Sequence, residues 1–214
     1  MGTRLKVMLA FEEPLLGTAP GNPELYRDFV AANRPEGADP EEAADLPPLD
    51  EEVRRATTVF HRTAGGTPCL YDYQIKGFLK DACSMLARVP ESASSGVRAY
   101  KKIIDGLIFV SPRKIPIVLP DGQGLDFCER PLRAQTPQGE RVALARSERA
   151  PAGSRVEFEV NLLAAETAGG KTKGEKIDLV ELVEELLAYG HFRGLGQWRG
   201  SGMGRFVAEW SPEV

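Results

Sequence analysis

The sequence has few of the residues that metal and disulfide sites need. It contains only two histidines, His61 and His191, and three cysteines. Cys69, Cys83 and Cys128 stand singly, without the paired spacing of a zinc site, and a small odd number of cysteines is typical of a reducing compartment. We therefore predict no metal and no cofactor, and we interpret the cysteines as small buried hydrophobic residues.

Long apolar runs are also missing. The apolar run at the N-terminus is too short for a signal peptide, and no later stretch approaches the roughly 20 apolar residues of a membrane helix. We expect an intracellular, cytoplasmic protein with no membrane partner. A hydrophobic fraction of 42% and a charged fraction of 27% suit a folded protein rather than a disordered chain. The length of 214 residues fits one domain with insertions.

A large positive charge is the third absence. The formal net charge is −4, which argues against a histone-like binder of polyanions. The charge is unevenly distributed: acids greatly outnumber bases between Glu12 and Glu52, and bases lead from Arg98 to Arg149. Arg193, Arg199 and Arg205 then follow one another with no acid between them. A surface that meets nucleic acid should be built from the two basic segments.

The apolar pattern predicts the regular elements. Segments 4–11 and 154–163 alternate apolar and polar residues, which indicates strands with one buried face. Helical spacing predicts one helix with Asp72 as its N-cap and another over 177–189, with Gly190 as its C-cap. Shorter runs predict a helix over 97–104 and strands over 107–110, 115–119 and about 205–210. Without insertions, the chain follows the βαββαβ order of an α+β ferredoxin-like (RRM-like) fold, with an antiparallel sheet and the helices on one face.

The segment 12–71 interrupts this order. It is acidic and rich in proline, and we interpret it as a large insertion in which only short helices fit, over 23–33 and 50–57.

The segment 193–206 combines glycine with arginine. Glycines let a backbone approach a phosphodiester closely and expose N–H groups to it, and arginines add charge-assisted hydrogen bonds. A tryptophan in the loop would stack on a base or anchor the loop to the core. An ordinary structural turn is the alternative interpretation. The candidate contacts are Arg193, Gly194, Gly196, Trp198, Arg199, Gly202, Gly204 and Arg205.

A second group of candidates lies near the start of the first predicted helix. Lys76 and Gly77 at a helix N-terminus can bind phosphate by charge and by unpaired N–H groups, and Lys80 lies one turn further on. The alternative is a solvated lysine beside a glycine that is needed for packing.

Three segments together resemble the RAMP superfamily, the RNA-binding ferredoxin-like proteins known as backbone subunits of CRISPR effector complexes. The segment 193–206 is similar to the glycine-rich loop of the family, and 73–82 is similar to the segment that opens its first helix. A third stretch leads into a core strand and keeps the family's order of Glu148, Pro151, Gly153 and Phe158.

The resemblance implies a single RAMP-like domain over 1–214, in which the hairpin within 129–153 is a thumb that presses on the bound strand. Arg130 and Arg133, which precede the thumb, then join the candidate contacts. It also implies binding to the phosphate backbone of single-stranded nucleic acid, with RNA favoured over DNA, as a homo-oligomer or within a CRISPR-type complex. The chain further resembles a group of prophage-encoded proteins.

Two alternatives remain open. A phage-encoded interaction factor could mimic a CRISPR effector subunit and inhibit the complex, and the acidic insertion would suit a basic partner. A metal-independent RNA endonuclease could use His61 as the base on a 2′-hydroxyl, with Arg62 beside the developing phosphorane.

The family's target-cutting subunits carry a catalytic aspartate between the first strand and the first helix. In this chain that loop is the insertion, and no aspartate in it stands in a recognisable motif. We predict a non-catalytic protein. The aspartates concerned are Asp28, Asp39, Asp45 and Asp50.

Overall fold

The computed structural model describes residues 2–21, 57–136, 139–168, 170 and 176–213. The helices there are α1 (Asp72–Leu86), α2 (Tyr100–Leu107), α3 (Leu179–Ala188) and α4 (Gly190–Arg193), with 3-10 turns at Ala93–Gly96 and Arg199–Ser201. The strands are β1 (Arg4–Phe11), β2 (Leu15–Leu16), β3 (Ala19–Pro20), β4 (Thr57–Val59), β5 (His61–Arg62), β6 (Pro68–Tyr71), β7 (Ile108–Ser111), β8 (Lys114–Val118), β9 (Asp126–Thr136), β10 (Gly139–Ala150), β11 (Arg155–Leu162), β12 (Glu166–Ala168), β13 (Lys176–Asp178) and β14 (Phe206–Glu213).

The main sheet has the strand order of a ferredoxin-like fold. Strand β1 lies between β14 and β11 and is antiparallel to both, and β11 pairs on its other side with β7 and β8. Strands β6 and β5 extend the sheet beyond β8. Helices α1 and α2 lie in the chain between β1 and β7, directly after β6. Helix α3 lies between β11 and β14. The predicted α+β ferredoxin-like class, with an antiparallel sheet, is therefore confirmed.

The core lies between this sheet and the helices. The alternation predicted for the two central strands is present: Leu5 faces Val160 and Val7 faces Phe158, and all four are buried. Helices α1 and α3 bury one apolar face each against the same cluster, because apolar residues recur there at helical spacing.

The three cysteines are free thiols. Cys69 and Cys83 lie in the interior, as predicted, and burial raises the pKa of both. Cys128 differs from the prediction, because it lies on the hairpin strand β9 and is only half-buried.

A second, smaller sheet carries the hairpin. Strands β9 and β10 pair antiparallel along their length, and at its base β10 also pairs with β2 and, in parallel, with β4. The predicted hairpin within 129–153 is thus present, although its strands begin earlier, at Asp126.

The described part of the predicted insertion consists of strands, not of short helices. Residues 15–20 and 57–62 supply β2 to β5, which join the hairpin sheet and the edge of the main sheet. The prediction of helices only was therefore wrong there, because short strands gain their hydrogen bonds from distant partners that local spacing does not reveal. The predicted helix over 23–33 lies outside the described residues, and of 50–57 only Thr57 is described, in β4.

The end of the second long helix also differs from the prediction. Helix α3 stops at Ala188, and the short helix α4 follows at once, so Gly190 is not a C-cap. A Cβ atom at Gly190 would lie 2.1 Å from the ring of Phe206. The glycine is therefore needed for close packing of α4 against β14. Among the described helices, none has the length and apolar character to cross a membrane.

Candidate nucleic-acid interface

The glycine-rich loop connects α4 to β14 and is folded tightly on itself. The N–H of Leu195 donates to the carbonyl of Gly204, and the N–H of Gly204 donates to the carbonyl of Pro14, both at 2.9 Å. Leu195 is buried in the core. The loop is therefore a compact turn with fixed ends, and its 3-10 turn at Arg199–Ser201 forms the tip.

Most of the predicted contact glycines have a structural role. Gly194, Gly196 and Gly204 have positive φ angles of 71°, 78° and 70°. A Cβ atom at each would lie within 2.8 Å of a backbone oxygen. These three positions therefore require glycine because of the conformation and the close approach of the chain to itself.

The tip is open in contrast. A Cβ atom at Gly200 would meet nothing within 4 Å, and one at Gly202 would meet only the guanidinium of Arg205, from 3.6 Å. Gly200 is exposed and Gly202 is half-buried. A phosphodiester can approach the backbone here without displacing protein backbone.

Two of the predicted arginines are used to fasten the loop to helix α1. Arg193 Nε and Arg199 Nη1 each donate to Oδ2 of Asp81, both at 2.8 Å. Burial alone would raise the pKa of Asp81, but the hydrogen bonds and charges of the two arginines outweigh it and hold that pKa below its usual range. The trio retains one net positive charge, so it remains favourable to an anion nearby.

Arg130 and Arg205, unlike Arg193 and Arg199, are not paired with an acid in the described part of the chain. Arg130 reaches from the hairpin to the loop, where its Nη1 donates to Ser201 Oγ at 2.5 Å and its guanidinium lies 5.6 Å from the ring centroid of Trp198. Arg205 places its guanidinium beside Gly202. Both arginines are exposed, and within the described part of the chain neither forms an ion pair with an acid. Two available cations thus lie at the open tip, Arg130 beside Ser201 and Arg205 beside Gly202.

A polar contact that the sequence did not suggest joins the loop to the hairpin sheet. Gln197 Oε1 lies 3.4 Å from Thr58 Oγ1 and from Ser147 Oγ, and these two hydroxyls are 2.8 Å apart. Ser147 is buried. The contact positions the loop between helix α1 and the base of the hairpin, with the tip facing Arg130.

The predicted lysines of the first helix lie on another side of it. Lys80 Nζ donates to Asp105 Oδ1 at 2.7 Å, and Lys76 Nζ donates to the carbonyl oxygen of Asp105 at 3.1 Å. The hydrogen bond from Lys80 holds the pKa of the Asp105 carboxyl below its usual range. Both lysines therefore connect α1 to α2, and they are not brought together with the loop arginines.

Gly77 also differs from its predicted role. Helix α1 begins at Asp72, so Gly77 is its sixth residue. Only the N–H groups of the first turn lack partners within a helix, and Gly77 lies beyond that turn. The expected capture of phosphate by a free N–H of Gly77 is therefore wrong. The residue is exposed, with open space around it.

Two arginines near the base of the hairpin are paired with acids. Arg146 and Arg149 form ion pairs with Glu129 and Asp126, the residues directly opposite them on the neighbouring strand. Arg133 lies opposite Val142, further along the hairpin from its base.

His61 and Arg62, the proposed catalytic pair, contact different partners in the structure. The Arg62 guanidinium ion-pairs with Glu148, a buried residue whose other oxygen accepts a hydrogen bond from the N–H of Phe60. Arg62 thus anchors the insertion to the hairpin sheet. His61 contacts the ring of Tyr71 instead, and burial, followed by the charge of Lys114, lowers its pKa.

An aromatic and basic cluster that the sequence pattern does not predict lies beside His61. The rings of Tyr71 and Tyr73 stack with centroids 5.2 Å apart, and the Arg113 guanidinium lies 5.6 Å and 6.0 Å from them. Lys114 Nζ is 5.7 Å from the Tyr71 centroid. The signal in the sequence was the pair of tyrosines around Asp72, but Arg113 comes from the distant turn between β7 and β8, and Lys114 begins β8.

The open face of the main sheet has a different character. Its central strands present Lys6, Met8, Glu157 and Glu159, and the neighbouring strand adds Glu209. Base-stacking aromatic residues, which RRM domains carry on this face, do not occur at these positions. In the described part of the chain, no group of three potential metal-ligating side chains comes together.

Comparison with known proteins supports the fold. A chain of the type III-B Cmr-beta complex, determined with bound cognate target RNA, superposes with a TM-score of 0.51 at 9% identity. The match covers 100% of this chain and 60% of that one, so this chain spans less than two thirds of its length. A chain of a type IV-B CRISPR complex gives a TM-score of 0.47 at 14% identity, covering 97% of this chain and 90% of that one. No protein-family model and no curated protein matches the sequence. The likeness to the Cmr-beta chain agrees with the α+β ferredoxin-like fold described above.

Proposed function

We propose that this protein binds the phosphate backbone of single-stranded nucleic acid, RNA in preference to DNA, at the tip of the glycine-rich loop. The observation that carries the proposal is the placement of two exposed arginines, from distant parts of the chain, beside neighbouring residues of the open tip. Arg130 contacts Ser201 and Arg205 lies beside Gly202. Guanidinium groups bind phosphate through paired, charge-assisted hydrogen bonds.

The surroundings of the tip favour an anion. The trio of Arg193, Arg199 and Asp81 contributes one net positive charge at the base of the loop, and Trp198 offers a partly exposed ring. On the open face of the sheet, Glu157, Glu159 and Glu209 are balanced by Arg4, Lys6 and Arg155, so that face offers the same ligand no excess of positive charge. The likeness in fold to a chain from a complex bound to target RNA agrees with this proposal.

Fluorescence polarisation with labelled oligouridylate and oligothymidylate of about 12 nucleotides, within the range of known single-strand site sizes, tests the proposal. We expect Arg130→Ala and Arg205→Ala each to weaken binding by about tenfold or more, because a hydrogen bond to a charged group contributes about 1.5–3 kcal/mol. Each variant should also lower the slope of log K against log salt concentration by about 0.7 per lost phosphate contact.

Arg155→Ala is the matched control, since Arg155 is also exposed and lies on the open face of the sheet. Losing the same charge there should leave the affinity within about twofold, well under the tenfold change of a lost charged hydrogen bond. Equal losses from Arg155→Ala and Arg130→Ala would show that only net charge matters and would refute the site. Absence of binding to either oligonucleotide at low salt would refute the function and favour the phage-encoded interaction factor.

The remaining parts of the proposal concern assembly. The hairpin of β9 and β10 acts as the thumb that presses on the bound strand, within a single domain, and copies of the chain line up along it as a homo-oligomer or join a CRISPR-type complex. Sedimentation velocity with an excess of protein over a long oligouridylate tests this, since several copies per strand are expected. The likeness to prophage-encoded proteins stays a prediction.

A further inference from the structure

The cluster beside the start of helix α1 has the chemistry of a platform for a nucleobase. Tyr71 and Tyr73 are stacked with an angle of 17° between their rings, and Tyr73 is 50% exposed. Aromatic side chains in this setting stack on bases of any sequence, and nearby arginine adds a cation–π contribution.

The positive groups of the cluster are held in place. Arg113 donates to Asp72 at 3.1 Å, and its guanidinium still faces both tyrosine rings. Lys114 Nζ donates to the carbonyl oxygen of Arg62 at 2.8 Å, which keeps the ammonium near Tyr71. Arg113 and Lys114 outweigh the single charge of Asp72, so the platform has a net attraction for a phosphodiester chain.

The platform and the loop tip lie along a connected surface. Tyr73, Gly77 and Asp81 are spaced four residues apart on α1 and therefore lie along one side of the helix. Eight residues correspond to about 12 Å along the helix axis. Gly77, midway, is exposed and has open space beside it, which leaves room for a single strand along this side of the helix.

We infer that Tyr73, supported by Tyr71 and Arg113, stacks on an unpaired base of the strand whose phosphates are held at the loop tip. The inference rests on the proposed function and adds a second subsite to it. The base is recognised through its aromatic face, so the subsite takes any base and discriminates a nucleotide from a bare sugar–phosphate chain. The two subsites together fix the line that the strand follows along α1.

The test compares oligouridylate of about 12 nucleotides with an abasic oligonucleotide of the same backbone and length. Wild-type protein should prefer the oligouridylate, and Tyr73→Leu should reduce that preference by about tenfold, the size of one lost stacking contact. Tyr73→Phe is the matched control, because it keeps the ring and loses only the hydroxyl, and it should retain the wild-type preference. Because the Tyr73 hydroxyl also lies 3.5 Å from His61 Nε2, thermal unfolding of all three proteins checks that neither substitution acts through stability.

The outcomes separate the two proposals. If the oligonucleotide binds and depends on Arg130 and Arg205, but Tyr73→Leu keeps the full preference for bases, the stacking subsite is refuted and the proposed function stands. If Tyr73→Phe loses the preference as Tyr73→Leu does, the hydroxyl rather than the ring is responsible, and stacking is refuted as well. If the wild-type protein binds neither oligonucleotide, both proposals fall together.

Discussion

Replacing Gly204 by alanine tests whether the glycines of the loop serve its fold or its ligand. The residue has a φ angle of 70°, and a Cβ atom would lie 2.0 Å from the carbonyl oxygen of Leu195. An L-residue in the left-handed region costs about 1–2 kcal/mol. Because the clash is with backbone, relief requires the loop to open, which breaks the hydrogen bond from Leu195 to Gly204 at a cost of about 1 kcal/mol.

Since Leu195 is buried, any shift also exposes part of its side chain. We therefore expect Gly204→Ala to lower the free energy of unfolding by about 3 kcal/mol, which corresponds to a fall in Tm of about 6–12 °C for a chain of this size. Gly200→Ala is the matched control: a Cβ atom there meets nothing within 4 Å, and the change should stay within about 0.5 kcal/mol.

Thermal unfolding followed by circular dichroism measures both variants, and the oligonucleotide assay is run on the same samples. If Gly204→Ala unfolds at the wild-type temperature and yet loses binding, the reasoning is refuted. Gly204 would then act through approach to phosphate, as the sequence suggested, and not through the packing of the loop.

Two further predictions concern buried or paired acids. The pKa of Asp81 is depressed in the folded protein, so its interaction with Arg193 and Arg199 stabilises the fold at pH values above the ordinary carboxyl pKa of about 4. This stabilisation is lost as the pH falls through the lower, folded-state pKa. Asp81→Asn should therefore flatten the decline of Tm in acid, and an unchanged decline would contradict this. Glu148→Ala should lower the free energy of unfolding by about 1–3 kcal/mol in urea, because it leaves the N–H of Phe60 without its acceptor, and a change below about 0.5 kcal/mol would show that this N–H finds another partner.

The local pattern of apolar and polar residues was sufficient to predict the central strands and the two long helices. The alternation in 4–11 and 154–163 predicted β1 and β11 to within a residue, because successive side chains of a strand point to opposite faces whatever the partner strand is. Helices α1 and α3 were likewise foreseen from their apolar spacing. Their order along the chain then predicted the ferredoxin-like sheet, since few topologies accommodate that order.

The pattern failed where an element depends on distant residues. Strands β2 to β5 are two or three residues long and gain their hydrogen bonds from β10, β6 and each other, so no window of sequence marks them as strands. Gly190 looked like a helix terminator, and only the ring of Phe206 shows why a side chain is excluded there.

The sequence by itself determined that this chain folds as an α+β protein with a basic, glycine-rich loop, because periodicity and composition are properties of neighbouring residues. The tertiary structure alone decided which cations are available to a ligand. Asp81 is 112 residues from Arg193 in the chain, so nothing local could show that this arginine is paired with an acid while Arg130 and Arg205 remain available. The aromatic platform likewise exists only because the turn that carries Arg113 folds back onto Tyr71 and Tyr73. Charge pairing and ring stacking depend on distance in space rather than on position in sequence.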